Sequence, residues 1–286
     1  MDFKRYLEEN ARRIDEELDI ILSDFLNETK KTNIKLLPFA LGLINSCRGG
    51  KRIRGTLVKL GYELGRGGKW EMGSGKIEVG DGILKIAAAL EILHTALLIH
   101  DDIMDKSPTR RGQPALYEAL GGGHYGISQA ISLGDIGLYL PIKIISEANF
   151  LGEYRLKALS FLSQTLVNTG WGQVLDVEGV REDRDFINLF KTAKYTIAGP
   201  LQLGAILAGA DEQLIRVLGE FGENLGIAFQ IHDDILDGET NSLDYSRQDE
   251  VKYVLRAKSI IPKITKDKEQ AKLLTEMADF LVERIS

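Results

Sequence analysis

Apolar residues recur along nearly the whole chain at helical spacing. In the opening segment Leu7, Ile14, Leu18, Ile21, Leu22 and Phe25 follow one another at three-, four- and seven-residue steps, the stripe an amphipathic helix turns toward a core. Comparable patterns run through 34–47, 52–65, 82–105, 113–119, 125–147, 153–180, 186–209, 211–237 and 248–285. No run alternates strictly between apolar and polar residues, so strands are expected to be few or absent. The six prolines are few for this length, and Pro38, Pro108 and Pro114 stand where helix edges are expected. The glycine-rich stretch 65–82 reads as a loop between helices. No long linker or composition shift divides the 286 residues, so one all-α domain over 1–286 is expected.

Composition narrows the class of function. Hydrophobic residues make up 44% and charged residues 27%, enough apolar material for a real core under a charged surface. A net charge of −6 argues against a broad nucleic-acid-binding surface, so no nucleic acid partner is expected. The single cysteine, Cys47, rules out an intrachain disulfide and fits a reducing, cytoplasmic setting. The N-terminal stretch is charged and amphipathic, without the apolar core of a signal peptide. The most apolar stretch is interrupted by Lys85, Glu91 and His94, so no transmembrane segment is expected.

Against that background "LLIHDDIMD", 97–105, stands out, because it sets three carboxylates among leucine and isoleucine. The heptapeptide IHDDIMD at 99–105 returns as IHDDILD at 231–237, each time at the end of a long helical pattern. Residues advance by about 100° along an α-helix, so Asp105 lies about 40° and Asp102 about 100° from Asp101, all on one face. Asp234 and Asp237 likewise lie within about 60° of each other, with Asp233 on their flank. Six carboxylates on two helices repel one another, and hard divalent cations relieve that repulsion. An all-oxygen ligand set suits magnesium better than zinc, and magnesium commonly shares its coordination shell with phosphates. The pair of motifs therefore points to a magnesium-bridged phosphate or diphosphate site.

A lone DDxxD is ordinarily a solvated acidic surface. Two near-identical copies in apolar settings, with basic partners elsewhere, favour a binding site. A calcium loop lacks its glutamate at the twelfth position, and His94, His100, His124 and His232 form no compact zinc set. "GGKRIRG", 49–55, offers Lys51, Arg52 and Arg54 after two glycines at an expected helix start, and "SPTRRGQP", 107–114, places Arg110 and Arg111 directly after the first aspartates. Neither has Walker spacing. His94 lies two turns before Asp101 on the same face, about 20° away. Lys191 and Thr192 put a lysine and a hydroxyl on an apolar helix, where a lysine calls for an anion. Gln230 stands one turn before Asp234, and Phe229 beside it.

Taken together, "GGKRIR", "LIHDDIMD" with "RRGQP", "KTA" and "FQIHDDILD" resemble the trans-isoprenyl diphosphate synthases, or polyprenyl synthetases, in order and separation across roughly 35–240. The resemblance implies an all-α bundle around a deep central cavity, assembled as a homodimer, with the aspartate motifs facing each other across the cavity mouth. Asp101, Asp102, Asp105, Asp233, Asp234 and Asp237 would hold two or three Mg2+ ions. Arg110, Lys191, Thr192 and Gln230 would bind an allylic diphosphate, and Lys51, Arg54, His94 and Arg111 would bind isopentenyl diphosphate. The implied reaction is ionisation, condensation and elimination, with stabilisation of the leaving diphosphate as its central requirement.

The resemblance also locates a ruler for product length. The fifth and fourth positions before the first aspartate are Ala96 and Leu97, with Leu93 below and no aromatic stopper. This argues for geranylgeranyl diphosphate, with a longer polyprenyl diphosphate as the alternative. The chain departs from the family pattern in three places. Gly55 stands where a proline is usual, His232 replaces a frequent basic residue, and no Gly-Lys pair follows Asp237. Intact aspartates argue against a non-catalytic partner subunit. The duplicated DDxxD and the Lys51/Arg54 cluster argue against a terpene cyclase and against head-to-head condensation.

Overall fold

A computed structural model describes residues 2–67, 79–179, 184–236 and 246–283. Twelve α-helical segments are described: α1 Phe3–Thr32, α2 Leu37–Ser46, α3 Ile53–Gly65, α4 Val79–Met104, α5 Leu116–Ala119, α6 Gly123–Glu147, α7 Gly152–Glu178, α8 Arg184–Ile187, α9 Gly199–Leu207, α10 Glu212–Leu236, α11 Arg247–Ile264 and α12 Lys268–Glu283. Among the described residues the only strands are two of two residues, β1 Thr109–Arg110 and β2 Gln113–Pro114, paired antiparallel as a hairpin. The all-α expectation is met. The expected loop over 65–82 falls largely outside the described residues, and α4 begins within it, at Val79.

Local chemistry sets the helix ends. Ser246 caps α11 through a capping box with Asp249, and Gly179 closes α7 in the left-handed region, φ 73°. The helical pattern expected over 248–285 divides in two. Pro262 lies in the last turn of α11, Thr265 is extended, and the Asp267 carboxylate accepts from Gln270 N at 2.9 Å to start α12. The pattern over 186–209 also changes pitch, since Asn188–Ala198 winds as a π-helix between α8 and α9. Such wide turns are rare and concentrate at functional sites.

The chain forms two compact units, Met1–Asn10, Thr56–Val79 and Phe150–Ser286 in one, Ala11–Gly55 and Gly80–Asn149 in the other. In the second unit Leu43, Ile99, Ala115, Leu116, Tyr117, Ala130 and Leu133 make a buried cluster beneath the end of α4. In the first, α10 packs on the π-wound segment and on α11, approaching so closely that a Cβ on Gly226 would lie 2.4 Å from Ala193 Cα. Gly82–Met104 is the one described segment apolar and long enough to cross a membrane. Within its most apolar window 72% is buried in the fold, the signature of a core helix.

Candidate active site

The first aspartate motif closes α4. The helix is assigned to Met104, but Asp105 N donates to Asp101 O at 2.9 Å, so Asp105 continues the last turn above Asp101. Carboxylates at a helix C-terminus face the negative end of the macrodipole, which adds to their mutual repulsion. One cation already answers this. Arg110, fixed by the β1–β2 hairpin, donates from Nε to Asp102 Oδ1 at 2.8 Å and from Nη2 to the same oxygen, and lies 3.8 Å from Asp101 Oδ2. The bond to Asp102 pushes the Arg110 pKa up, with Asp101 and Asp105 adding their fields. Asp102 is buried, Asp101 half-buried and Asp105 exposed, so the three carboxylates are not equivalent.

Behind this end of α4 lies a cationic cluster. Burial pushes the His94 pKa well below the ordinary histidine value, and Arg54, Arg111, Arg110 and Arg52 depress it further. His94 is therefore neutral near pH 7. Arg111 is lowered in turn, first by burial and then by Arg52, Arg110 and Arg54, with Glu91 opposing. Its backbone is left-handed, φ 53°, and its Nη1 donates to Arg48 O at 3.1 Å. Gly50 has φ 94°, and a Cβ there would come within 3.1 Å of Arg111 Nη2, so glycine suits both the backbone and the arginine. Several cations held near one imidazole, with Glu91 and Asp102 as the buried acids among them, can receive a polyanion.

Arg52 has a different task. It is 5% exposed, donates to Asp15 Oδ1 at 2.6 Å and to Cys47 O at 3.0 Å, and lies 3.9 Å from Glu91. Glu91 also accepts from Gly55 N at 2.8 Å. Arg52 and Glu91 thus fasten the glycine-basic loop to α1 and α4, leaving Lys51 exposed at the start of α3. A cavity of about 390 Å³ is lined by Asp102 and Arg110 together with Arg48, Arg111, Thr95 and Leu98, a mixture of charged, polar and apolar groups.

The second motif lies in the last described turn of α10, which runs to Leu236. Asp233 and Asp234 are half-buried, and Gln230 Nε2 donates to Asp234 Oδ1 at 2.7 Å. Asp237 lies outside the described residues. His232, pointing the other way, makes a buried contact from Nδ1 to Glu250 Oε1 at 3.0 Å. On the π-wound segment Lys191 Nζ lies 2.5 Å from Asp176 Oδ2 on α7, and Thr192 is half-buried next to it. Among the residues placed as a ruler, Leu93 and Ala96 are fully buried and Leu97 is half-buried. A Cβ on Gly137 would meet Ala96 Cβ at 2.8 Å, so Ala96 packs against α6.

Asp15, Glu91, Asp176 and Glu250 are the polar residues that motif reading missed. Glu91 carried a signal, a carboxylate within an apolar helix, but the others are separated in sequence from the groups they touch. Among the described residues no three His, Cys, Asp or Glu side chains are gathered as a ready metal cage.

The polyprenyl synthetase family model matches residues 42–277. The chain belongs to the polyprenyl synthetase family. This polyprenyl synthetase is 34% identical over 242 residues to the short chain isoprenyl diphosphate synthase of Methanothermobacter thermautotrophicus, covering 83% of this chain and 66% of that one. It is 31% identical over 195 residues to the geranylgeranyl diphosphate synthase of Sulfolobus acidocaldarius, covering 66% of this chain and 54% of that one. The matches span 54% to 66% of the length of the first curated relatives. The fold is that of the geranylgeranyl pyrophosphate synthase of Corynebacterium glutamicum, with a TM-score of 0.80 at 24% identity over 99% of this chain and 100% of that one; that protein was solved with isoprenyl diphosphate and magnesium.

Proposed function

We propose that this polyprenyl synthetase is a chain-elongating prenyltransferase that condenses isopentenyl diphosphate with an allylic diphosphate, giving geranylgeranyl diphosphate. The observation that carries the reading is the cationic cluster of Arg54, Arg110 and Arg111 around a neutral His94, beside an aspartate-bearing helix end. Lys51, Arg54, His94 and Arg111 would bind the isopentenyl diphosphate. Arg110, Lys191, Thr192 and Gln230 would bind the allylic diphosphate. Neutral His94 can donate one hydrogen bond to a diphosphate oxygen without needing a counter-charge of its own.

The aspartates fit magnesium through their donor chemistry. Asp101 and Asp105 stand one turn apart and offer only hard carboxylate oxygens, a donor set that leaves magnesium positions for substrate phosphates. Asp101 and Asp105 would be the direct ligands on α4, with Asp102 orienting Arg110, and Asp233, Asp234 and Asp237 the second set. Bound magnesium supplies Lewis-acid stabilisation of the diphosphate as it leaves. The protein holds the isopentenyl double bond near the allylic carbon and excludes water, which would capture the cation before carbon–carbon bond formation. Transfer of a proton from the condensed cation to the departed diphosphate then restores the double bond.

A homodimer in the cytoplasm, acting as one synthase domain, completes the reading. The family match across 42–277 draws on both compact units and supports the single domain. Exposed Ile131, Ile136 and Tyr139 on α6, and Val167, Trp171 and Val174 on α7, give each helix an apolar stripe that a second copy would cover. The deciding experiment incubates the purified protein with magnesium, labelled isopentenyl diphosphate and, in turn, dimethylallyl, geranyl and farnesyl diphosphate, and sizes the products by chromatography. A twenty-carbon product is expected. Longer chains would reassign the product, and no product from any primer would favour a non-catalytic partner subunit.

A further inference from the structure

The repeated tetrapeptide Ile-His-Asp-Asp places a histidine immediately before each aspartate pair, at 99–102 and at 231–234. Neither histidine points with its aspartates. On α10, His232 is buried, and its Nδ1 lies 3.0 Å from Glu250 Oε1 on α11, itself buried. Asp234, about 200° around the helix from His232, takes its hydrogen bond from Gln230 instead. On α4, the Nε2 of His100 lies 3.2 Å from Ile131 O and 3.6 Å from Asp135 Oδ1, both on α6. The ring is held close there, since a Cβ on Gly134 would meet Nε2 at 2.2 Å. Each copy thus carries its carboxylates on one side and a polar histidine anchor on the other.

His100 sits in the final turn of α4, which ends at Met104, and His232 in the last described turn of α10, which runs to Leu236. At the end of α4 the last carbonyls lack partners within the helix, and carboxylate repulsion and the negative helix end both favour fraying there; on α10 the carboxylates repel one another in the same way. A polar contact on the far side resists that fraying and fixes the rotation at which the carboxylates point. Losing it at α10 would leave one member of a buried pair without its partner, so the rotation is strongly specified.

The geometry points to His100 and His232 as positioning residues, each setting the azimuth of its aspartate turn from the opposite face, through a different ring nitrogen. The inference rests on the reading of those aspartates as metal–diphosphate ligands. Because His232 works through Nδ1 and His100 through Nε2, the amide side chains that can replace them differ. Asparagine places a nitrogen where Nδ1 stands, and glutamine places one where Nε2 stands.

The test measures manganese(II) affinity by electron spin resonance of the free ion, with inorganic diphosphate present, alongside the urea unfolding midpoint of each variant. His232→Asn and His100→Gln are expected to stay within about threefold of the native affinity, while His232→Gln and His100→Asn weaken it about tenfold. Equal affinity in all four, with Asp234→Asn and Asp101→Asn still weakened, overturns the anchor and leaves the metal reading standing. Native affinity in those two aspartate variants overturns the metal reading, and the anchor with it. Losses that follow the unfolding midpoints without the Asn/Gln inversion reduce the histidines to packing and also overturn the inference. If the His232 variants do not fold, Glu250→Gln against Glu250→Leu makes the same decision at that site: retained affinity only with glutamine supports the anchor, and equal affinities reject it.

Discussion

Arg110 gives two of its N–H groups to one oxygen of Asp102, a residue the sequence pattern alone groups with Asp101 and Asp105 as a metal ligand. Under the proposed function the pairing divides the motif between two tasks, leaving Asp101 and Asp105 for a metal cation while Asp102 holds an arginine. Asp102→Asn keeps the shape but removes the charge that fixes the guanidinium. With Arg110 38% exposed, screening limits the loss to about 1–2 kcal/mol of stability, measured by urea unfolding. The allylic diphosphate KM is expected to rise about tenfold as Arg110 loses its orientation. Asp101→Asn should instead weaken magnesium dependence with little change in stability. Identical effects of the two substitutions on both readouts would remove the distinction.

His94 predicts a pH dependence of stability. Its folded pKa lies well below the ordinary value of 6.5, so below about pH 6.5 the unfolded chain binds a proton that the folded chain does not. Stability contributed by this site is therefore present above about pH 6.5 and falls as the pH drops toward the folded pKa. Urea midpoints for the native protein and His94→Gln should converge at pH 5.5 relative to pH 7.5, because glutamine has no proton to gain. A constant difference between the two proteins would show that His94 does not titrate in this way. A bound diphosphate lowers the cost of protonating His94, so its addition should reduce the acid sensitivity of the native protein alone.

The all-α class, the two aspartate turns and the basic loops were legible because each is written locally, in helical spacing or in adjacent residues. Arg52 shows where that reading stops. In sequence it is one of three basic residues in Lys51-Arg52-Ile53-Arg54, yet its side chain is buried against Asp15, Cys47 and Glu91, contacts no local pattern records. Lys191 shows the same limit, since its carboxylate, Asp176, lies on the preceding long helix. The π winding of Asn188–Ala198 was hidden for a related reason: wide turns keep a broadly helical apolar pattern, so periodicity cannot tell them from α. The break at Thr265 turned on a cap at Asp267, a single-residue signal inside a longer apolar rhythm.

The exposed apolar stripes predict self-association. Light scattering coupled to gel filtration should give twice the 31.8 kDa chain mass at micromolar concentration. Trp171, 60% exposed on α7, is the large aromatic of its stripe, and aromatic side chains commonly dominate such interfaces. Trp171→Glu should shift the species toward monomer, while Leu255→Glu on α11, equally exposed at 60%, should not. Native mass in the Trp171 variant would place the contact elsewhere.

The proposed ruler separates into a position that can take a larger side chain and one that cannot. Ala96 is fully buried, and its Cβ faces Gly137 so closely that neither side has room for another methyl group. Ala96→Phe must push α4 and α6 apart, at a cost of about 1–3 kcal/mol or more. Leu97 is only half-buried and lies one turn before Asp101, about 40° from it around the helix, so a phenyl ring there can extend along the aspartate side without opening that contact. Leu97→Phe is expected to shorten the products toward fifteen carbons with the melting temperature nearly unchanged. Ala96→Phe is expected to lower the melting temperature by several degrees, on the order of 2–4 °C per kcal/mol for a chain of this size. If Leu97→Phe melts like the native protein and makes the same products, the tail does not run along this side of α4, and product length is set by another helix.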